Sequence, residues 1–230
     1  MRLALLGLAL VLVLALPSGT PAAAADDPEV TEDGLVRVPS SRKVGVYRAP
    51  DATFSQYQRI VVEPIPVAFK KDWLRRNPGA TAAAEERMRT QFAQQFRDEL
   101  IEELVERGGY SLAQSPGPDV LRIDASIVDL DYVAPDVGSA TGVQTYVRSA
   151  GSMKLIVELR DGDSGVLIGR IIDYEKAREY EYTRELLRAD QVTITREAAY
   201  AFGNAARYTR EALNVARARR PETQAPFPIK

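Results

Sequence analysis

The strongest claim to chemistry in this chain belongs to Asp129 and Asp131, two carboxylates in the run Ile127-Val128-Asp129-Leu130-Asp131. On one strand face they would stand ~6.6 to 6.8 Å apart, near the separation of the carboxylate pairs that cleave glycosides. Asp124 lies close enough upstream to join them if a concave pocket gathered all three. Acids at this spacing also line ordinary solvated strands, and that plainer reading is the stronger one. Asp161-Gly162-Asp163-Ser164-Gly165 opens like a calcium loop, yet it lacks a third oxygen ligand in phase and the closing glutamate of an EF-hand. Asp and Gly are what a tight hairpin turn demands, so a turn is expected.

Two further constellations concern binding. Lys70, Lys71, Arg75 and Arg76 flank Trp73, a basic cluster with one aromatic that suits lipid head groups or an anionic glycan. Against it stands a solvated loop with Trp73 packed as an anchor. Tyr174, Tyr180 and Tyr182 are interleaved with Lys176, Arg178 and Arg184, a pattern that fits a rim for sugar or peptide. The competing description is half-buried tyrosines on an edge strand or connector.

Composition removes other chemistry. With His 0 and Cys 0 there is no imidazole or thiolate metal site, no cysteine nucleophile and no histidine relay. Catalysis would have to run on carboxylates, Lys, Tyr or Ser, and no set of catalytic residues is expected, nor a metal or cofactor. A formal net charge of -2 gives no general attraction for nucleic acid or an anionic membrane.

These residues need elements to hold them. Residues 1–25 read as a cleaved signal peptide: Arg2, an apolar run Leu3 to Leu16, breakers Pro17 and Gly19, then Ala23-Ala24-Ala25. The run is shorter than the roughly 18 to 20 residues that span a bilayer, so a periplasmic protein starting near Asp26 is expected. Residues 26–52 form a proline-punctuated lead-in; Leu35 to Val38 and Val44 to Tyr47 fit edge strands, but a draped tether is the preferred reading. A single domain is expected over 53–217, with a flexible tail at 218–230.

Within the domain, Ile60-Val61-Val62 reads as an inner strand covered on both faces, and Pro64 and Pro66 should end its pairing near Glu63. Thr81 to Arg107 is helical: Met88, Phe92, Phe96, Leu100 and Leu104 recur at four-residue steps, and Gly108-Gly109 stop it. In Val120 to Val133, Leu121, Ile123, Ala125 and Ile127 alternate with Arg122, Asp124 and Ser126, until the pattern slips at Val128-Asp129-Leu130 as a bulge would make it. A second alternating run to Arg160, the turn at Asp161 to Gly165 and Val166 to Ile172 make a hairpin. A last helix runs from about Thr195 to Arg217, with an alanine-rich stripe facing inward and Arg207 and Arg210 facing away. The fold class is α+β, a mostly antiparallel sheet with two long helices packed on it, in the order strand-helix-strand-strand-strand-helix.

Several of these segments carry a resemblance. Asp33-Gly34-Leu35, Val46-Tyr47-Arg48-Ala49-Pro50, Phe54-Ser55-Gln56-Tyr57, Glu63-Pro64 and Val67 to Trp73, with Asp161 to Leu167 later, are similar to the bacterial envelope family catalogued as domain of unknown function 3313. Many of its members resemble lipoproteins, whereas this chain has no cysteine to lipidate. The resemblance implies an envelope setting and transfers no catalytic residues. The expectation is a non-catalytic accessory or binding protein touching an envelope protein or peptidoglycan. Its competitors are a carboxylate-based hydrolase acting on envelope glycans and a peripheral lipid-binding protein.

Overall fold

The computed structural model describes residues 29–40, 44–133, 146–147, 149–176 and 187–218. The strands are β1 (Val36–Arg37), β2 (Gly45–Arg48), β3 (Arg59–Val62), β4 (Val67–Phe69), β5 (Ser111–Leu112), β6 (Val120–Leu130), β7 (Tyr146–Val147), β8 (Ser152–Asp161), β9 (Leu167–Lys176) and β10 (Leu187–Arg188). The helices are α1 (Trp73–Arg76), α2 (Ala82–Ile101), continued by a π-helical turn at Glu102–Glu106, and α3 (Gln191–Ala218). Eight strands form one sheet in the order β1-β2-β9-β8-β6-β3-β5, with β4 also on β6, while β7 and β10 pair separately.

The sheet is mixed, which corrects the expectation of a mostly antiparallel one. β6, β8 and β9 form an antiparallel meander. β3, however, lies parallel to β6, with Arg59 opposite Val120 and Val62 opposite Ile123. The cause is the long crossover: α2 carries the chain back along the sheet before β6 begins, so the second strand enters in the same direction as the first. The lead-in also departs from the draped reading. Its two alternating runs join the sheet as β1 and β2, and Leu35 is fully buried.

The prolines act as expected at first and then differently. Ladder pairing stops after Glu63 donates to the Ile123 carbonyl, because Pro64 and Pro66 have no N–H. The chain then stays beside β6 and resumes pairing as β4. Arg97 and Arg89, about two turns apart on α2, reach down to the carbonyls of Val62 and Val67 that flank the break. Strand carbonyls left without ladder donors are thereby satisfied.

β6 carries the bulge its sequence predicts. Val67 faces Ile127 and Phe69 faces Leu130, so β6 spends one extra residue, and Asp129 takes it with a φ of 53°. The inserted residue turns Leu130 and Tyr132 toward the core. Ile60 and Val62 are buried but Val61 is only partly covered, so β3 is packed on one face and not two.

The core lies between one sheet face and the two long helices. Met88, Phe92, Phe96, Leu100 and Leu104 are all buried, as the four-residue stripe requires. Phe202 of α3 meets Phe92 edge-on at 5.6 Å and stacks on Phe96 at 5.1 Å. Buried Ala198, Ala201, Ala205 and Ala206 let α3 approach closely. Thr81 caps α2 by accepting from the Ala84 N–H, and Gly109 ends its π turn at a φ of 73° that a side chain would resist. α3 begins earlier than its stripe implies, because Asp190 accepts from the Thr193 N–H and caps it.

Candidate functional site

The carboxylates selected by sequence are each paired with cations. Asp124 is held between Arg122 Nε at 2.8 Å and Arg160 Nε at 3.1 Å. Asp129, on the bulge, lies 3.7 Å from Lys154 Nζ, while Asp131 takes Lys70 at 3.2 Å and Arg76 at 2.6 Å. The bulge puts Asp129 and Asp131 out of the regular pleat, so their expected spacing on one strand face does not arise. Asp124 belongs to a ladder across the other sheet face, Asp33-Arg170-Glu158-Arg160-Asp124-Arg122-Glu63, with links of 2.6 to 3.4 Å. Burial raises the Glu158 carboxyl, but hydrogen bonds from Arg160 and Arg170 outweigh it and hold the group below its usual range.

The basic cluster is also redistributed. Trp73 is only 2% exposed, its ring lies 4.6 Å from that of Phe69 and its indole N–H donates to the Tyr132 carbonyl at 2.5 Å. It is therefore an internal anchor and cannot touch a head group, which corrects its place among the binding candidates. Lys70 and Arg76 share Asp131, Arg75 pairs with Asp72 at 2.8 Å, and Lys71 is exposed. Tyr174 is 63% exposed opposite Lys154, on the ladder face. Tyr180 and Tyr182 lie outside the described residues. The turn at Asp161 is saturated internally: its Oδ1 accepts from Ser164 N and Oγ, both at 2.7 Å, and its Oδ2 accepts from the Tyr57 hydroxyl at 2.8 Å. Among the described residues no three metal-ligating side chains group together.

Sequence reasoning missed two buried acidic features. Glu103, 3% exposed in the π turn, is gripped by Arg107 and by Arg210 Nε at 2.7 Å. Its burial raises the carboxyl, and the two guanidiniums more than reverse that. Arg210 thus faces α2, contrary to the outward position its sequence stripe assigns. Glu103 directly precedes Leu104 of the buried stripe, and its partner Arg210 comes from the other helix, which a repeat within one helix cannot foretell.

The second feature is Asp173 and Glu175, alternate residues of β9 that follow Ile171 onto the core face beneath α3. Asp173 is 5% exposed, and its Oδ2 finds no hydrogen-bond donor among the described residues while both acids are ionised. The pair is satisfied when Glu175 keeps a proton and donates it to Asp173. Burial, then the Asp173 charge, pushes Glu175 up to about 7, and burial raises Asp173 as well. The only sequence signal is period two: Ile171, Asp173 and Glu175 share the phase of a buried face.

The remaining feature is a cleft. Toward the β2 edge the C-terminal half of α3 stands off the sheet and leaves a cavity of about 310 Å³. Its buried lining is apolar: Val44, Phe54, Leu159, Ile171 and Leu213. Gly169 contributes bare backbone to the same wall, and Ala212 and Ala216 line the helix side. Ser40, Tyr47, Arg48, Tyr208 and Glu211 bring polar side chains to the lining, all on residues partly or fully exposed. Asp124, Asp129 and Asp131 do not line it. Apolar walls with a few polar groups are the usual construction of a ligand pocket.

A two-layer mixed α/β protein with an apolar cleft and cation-paired acids is the class that fold and site define. Across residues 29–199 the sequence matches the family described as protein of unknown function, DUF3313, and the chain belongs to that family. No curated protein matches it. Similar solved structures include the PelC dodecamer from Paraburkholderia phytofirmans, at 8% identity and a TM-score of 0.33, covering 70% of this chain and 96% of that one. Another is a putative neuraminyllactose-binding hemagglutinin homolog from Helicobacter pylori, at 12% identity and 0.36, covering 71% and 86%. A third is protein XCC0632 from Xanthomonas campestris, of the DUF330 family, at 10% identity and 0.41, covering 82% and 93%.

Proposed function

We propose that this protein is an exported, non-catalytic binding protein of the bacterial envelope, and that it binds an apolar part of an envelope component in the cleft between α3 and β2. The observation that carries the reading is the lining of that cavity, whose buried members are all apolar. The leader-like residues 1–25 support export. The hydrolase alternative loses support because Asp124, Asp129 and Asp131 are each paired with cations and stand away from the cleft. Lipid contact through Trp73 loses support because its ring is buried.

The test is titration of the mature chain with an apolar dye whose emission rises in dry surroundings. Saturable binding at one site per chain, abolished by Ala216→Phe, is the expected result. Dye binding that ignores this substitution would refute the assignment of the cleft.

A further inference from the structure

We propose that the proton shared by Asp173 and Glu175 controls the cleft, a proposal that rests on reading the cleft as the binding site. While the proton is held, α3 stays seated on β9 and the apolar walls meet; once it is lost, α3 loosens there and the cleft gives up its ligand.

The acid pair continues the cleft inward along both of its walls. On β9, Ile171 lines the cleft, and Asp173 and Glu175 follow it on the same face at steps of ~6.6 to 6.8 Å. On α3, Tyr208 lines the cleft, and Asn204, about one turn before it, donates its amide to Glu175. The polar contact that ties helix to strand thus stands directly beside the apolar one.

Its surroundings leave the proton to neutralise the pair. Asp173 is 5% exposed, and its Oδ2 has no partner. From the chain after β6 comes the buried phenol of Tyr132, which makes no hydrogen bond and also feels the charge of Glu197 on α3. From β8 come buried Met153 and Leu155, opposite Glu175 and Asp173 in register. Arg207 of α3 donates to Asn204 Oδ1 at 2.9 Å and makes no ion pair with either acid, while Lys154 and Lys176 belong to the opposite sheet face. Without the proton two neighbouring carboxylates are charged in a buried place, and parting from α3 to admit water relieves them. Burial and then the Asp173 charge push Glu175 up to about 7, which puts the transition at neutral pH. Because that value lies above the ordinary one, the seat is complete at low pH and lost as pH rises through 7.

The test is titration of the mature chain with an uncharged form of the apolar dye from pH 5 to pH 8.5, beside hydrogen exchange of the α3 amides at 198–208 corrected for intrinsic rates. Dye affinity should fall with a midpoint near 7, by at most about tenfold per pH unit, the limit for one linked proton. Exchange over 198–208 should quicken across the same range. Glu175→Gln should hold both at their low-pH values. Asp173→Asn, which removes the neighbouring charge, should move the midpoint to lower pH, and this shift separates a titrating role from a merely structural one. Wild-type circular dichroism at pH 5 shows that each variant has folded. Dye affinity that is flat across the range, or that falls identically in Glu175→Gln, would overturn the control and leave the cleft reading standing. A fall in affinity with unchanged exchange in α3 would overturn it too, since the helix would not have moved. Absence of dye binding at every pH would remove the cleft reading and this proposal together.

Discussion

Replacing Glu175 by Gln should make the protein less sensitive to alkali. In the native structure Glu175 holds its proton up to about 7, against an ordinary value of 4.5, because burial and the neighbouring Asp173 charge both oppose ionisation. In the unfolded chain both pressures vanish. Between those two values the folded state binds more protons than the unfolded one, so stability from this group is complete at low pH and falls as pH rises through 7. At about 1.4 kcal/mol per pH unit the gap amounts to roughly 3 kcal/mol, and partial exposure of the side chain brings the expected loss to about 1 to 3 kcal/mol. The neighbours of the pair include Asn204, whose amide donates to Glu175, and Tyr132, whose phenol is raised by burial and by the charges of Glu197 and Glu175. None of them is cationic, so nothing among these neighbours offsets the new charge. The glutamine amide introduced by the substitution keeps a donor for Asp173 and cannot ionise. Urea unfolding at pH 5 and pH 8.5 measures the effect: the two proteins should be nearly equal at the lower pH, with the variant more stable at the higher. Parallel pH profiles for wild type and E175Q would refute the shared-proton arrangement.

Three other outcomes follow from the packing. Phe96→Ala removes a ring with no exposed surface that stacks on Phe202, and thermal unfolding should register a loss of about 3 to 5 kcal/mol. An unchanged midpoint would mean the helix face is not core. Glu103→Ala leaves Arg210 without its buried partner and should cost roughly 3 to 5 kcal/mol at neutral pH. Since Glu103 is held below its ordinary range, its contribution is present above that range and lost as pH falls, so acid unfolding of the wild type and this variant should converge. Trp73, the single tryptophan, should emit at short wavelength, resist acrylamide quenching and show no change on adding anionic vesicles. A red-shifted, quenchable signal would contradict its anchoring by Phe69 and the Tyr132 carbonyl.

Much of the fold was legible locally. The four-residue stripe of α2, the alternation of β6 and β8, the bulge at Asp129 and the β8–β9 turn each depend on neighbours in sequence, and periodicity reads neighbours. The same logic failed where the partner lies elsewhere in the chain. Glu103 is paired with Arg210 of the other long helix, and Asp129 and Asp131 on either side of Leu130 are paired with different cations. Trp73 was visible as an aromatic amid cations, but whether it faced solvent depended on Phe69 and Tyr132, one of them distant in the chain.

The sequence alone determined the periodic faces, the capping and turn residues, the absence of thiol and imidazole chemistry and the family resemblance, since all of these are properties of residue type and short spacing. Tertiary structure decided the direction of β3 against β6, the pairing of each acid and the existence of the cleft. The cavity is bounded by residues near positions 44, 169 and 213, brought together only when β2 joins the sheet edge and α3 crosses above it. A void is made by what fails to meet in space, and no local pattern of side chains records that.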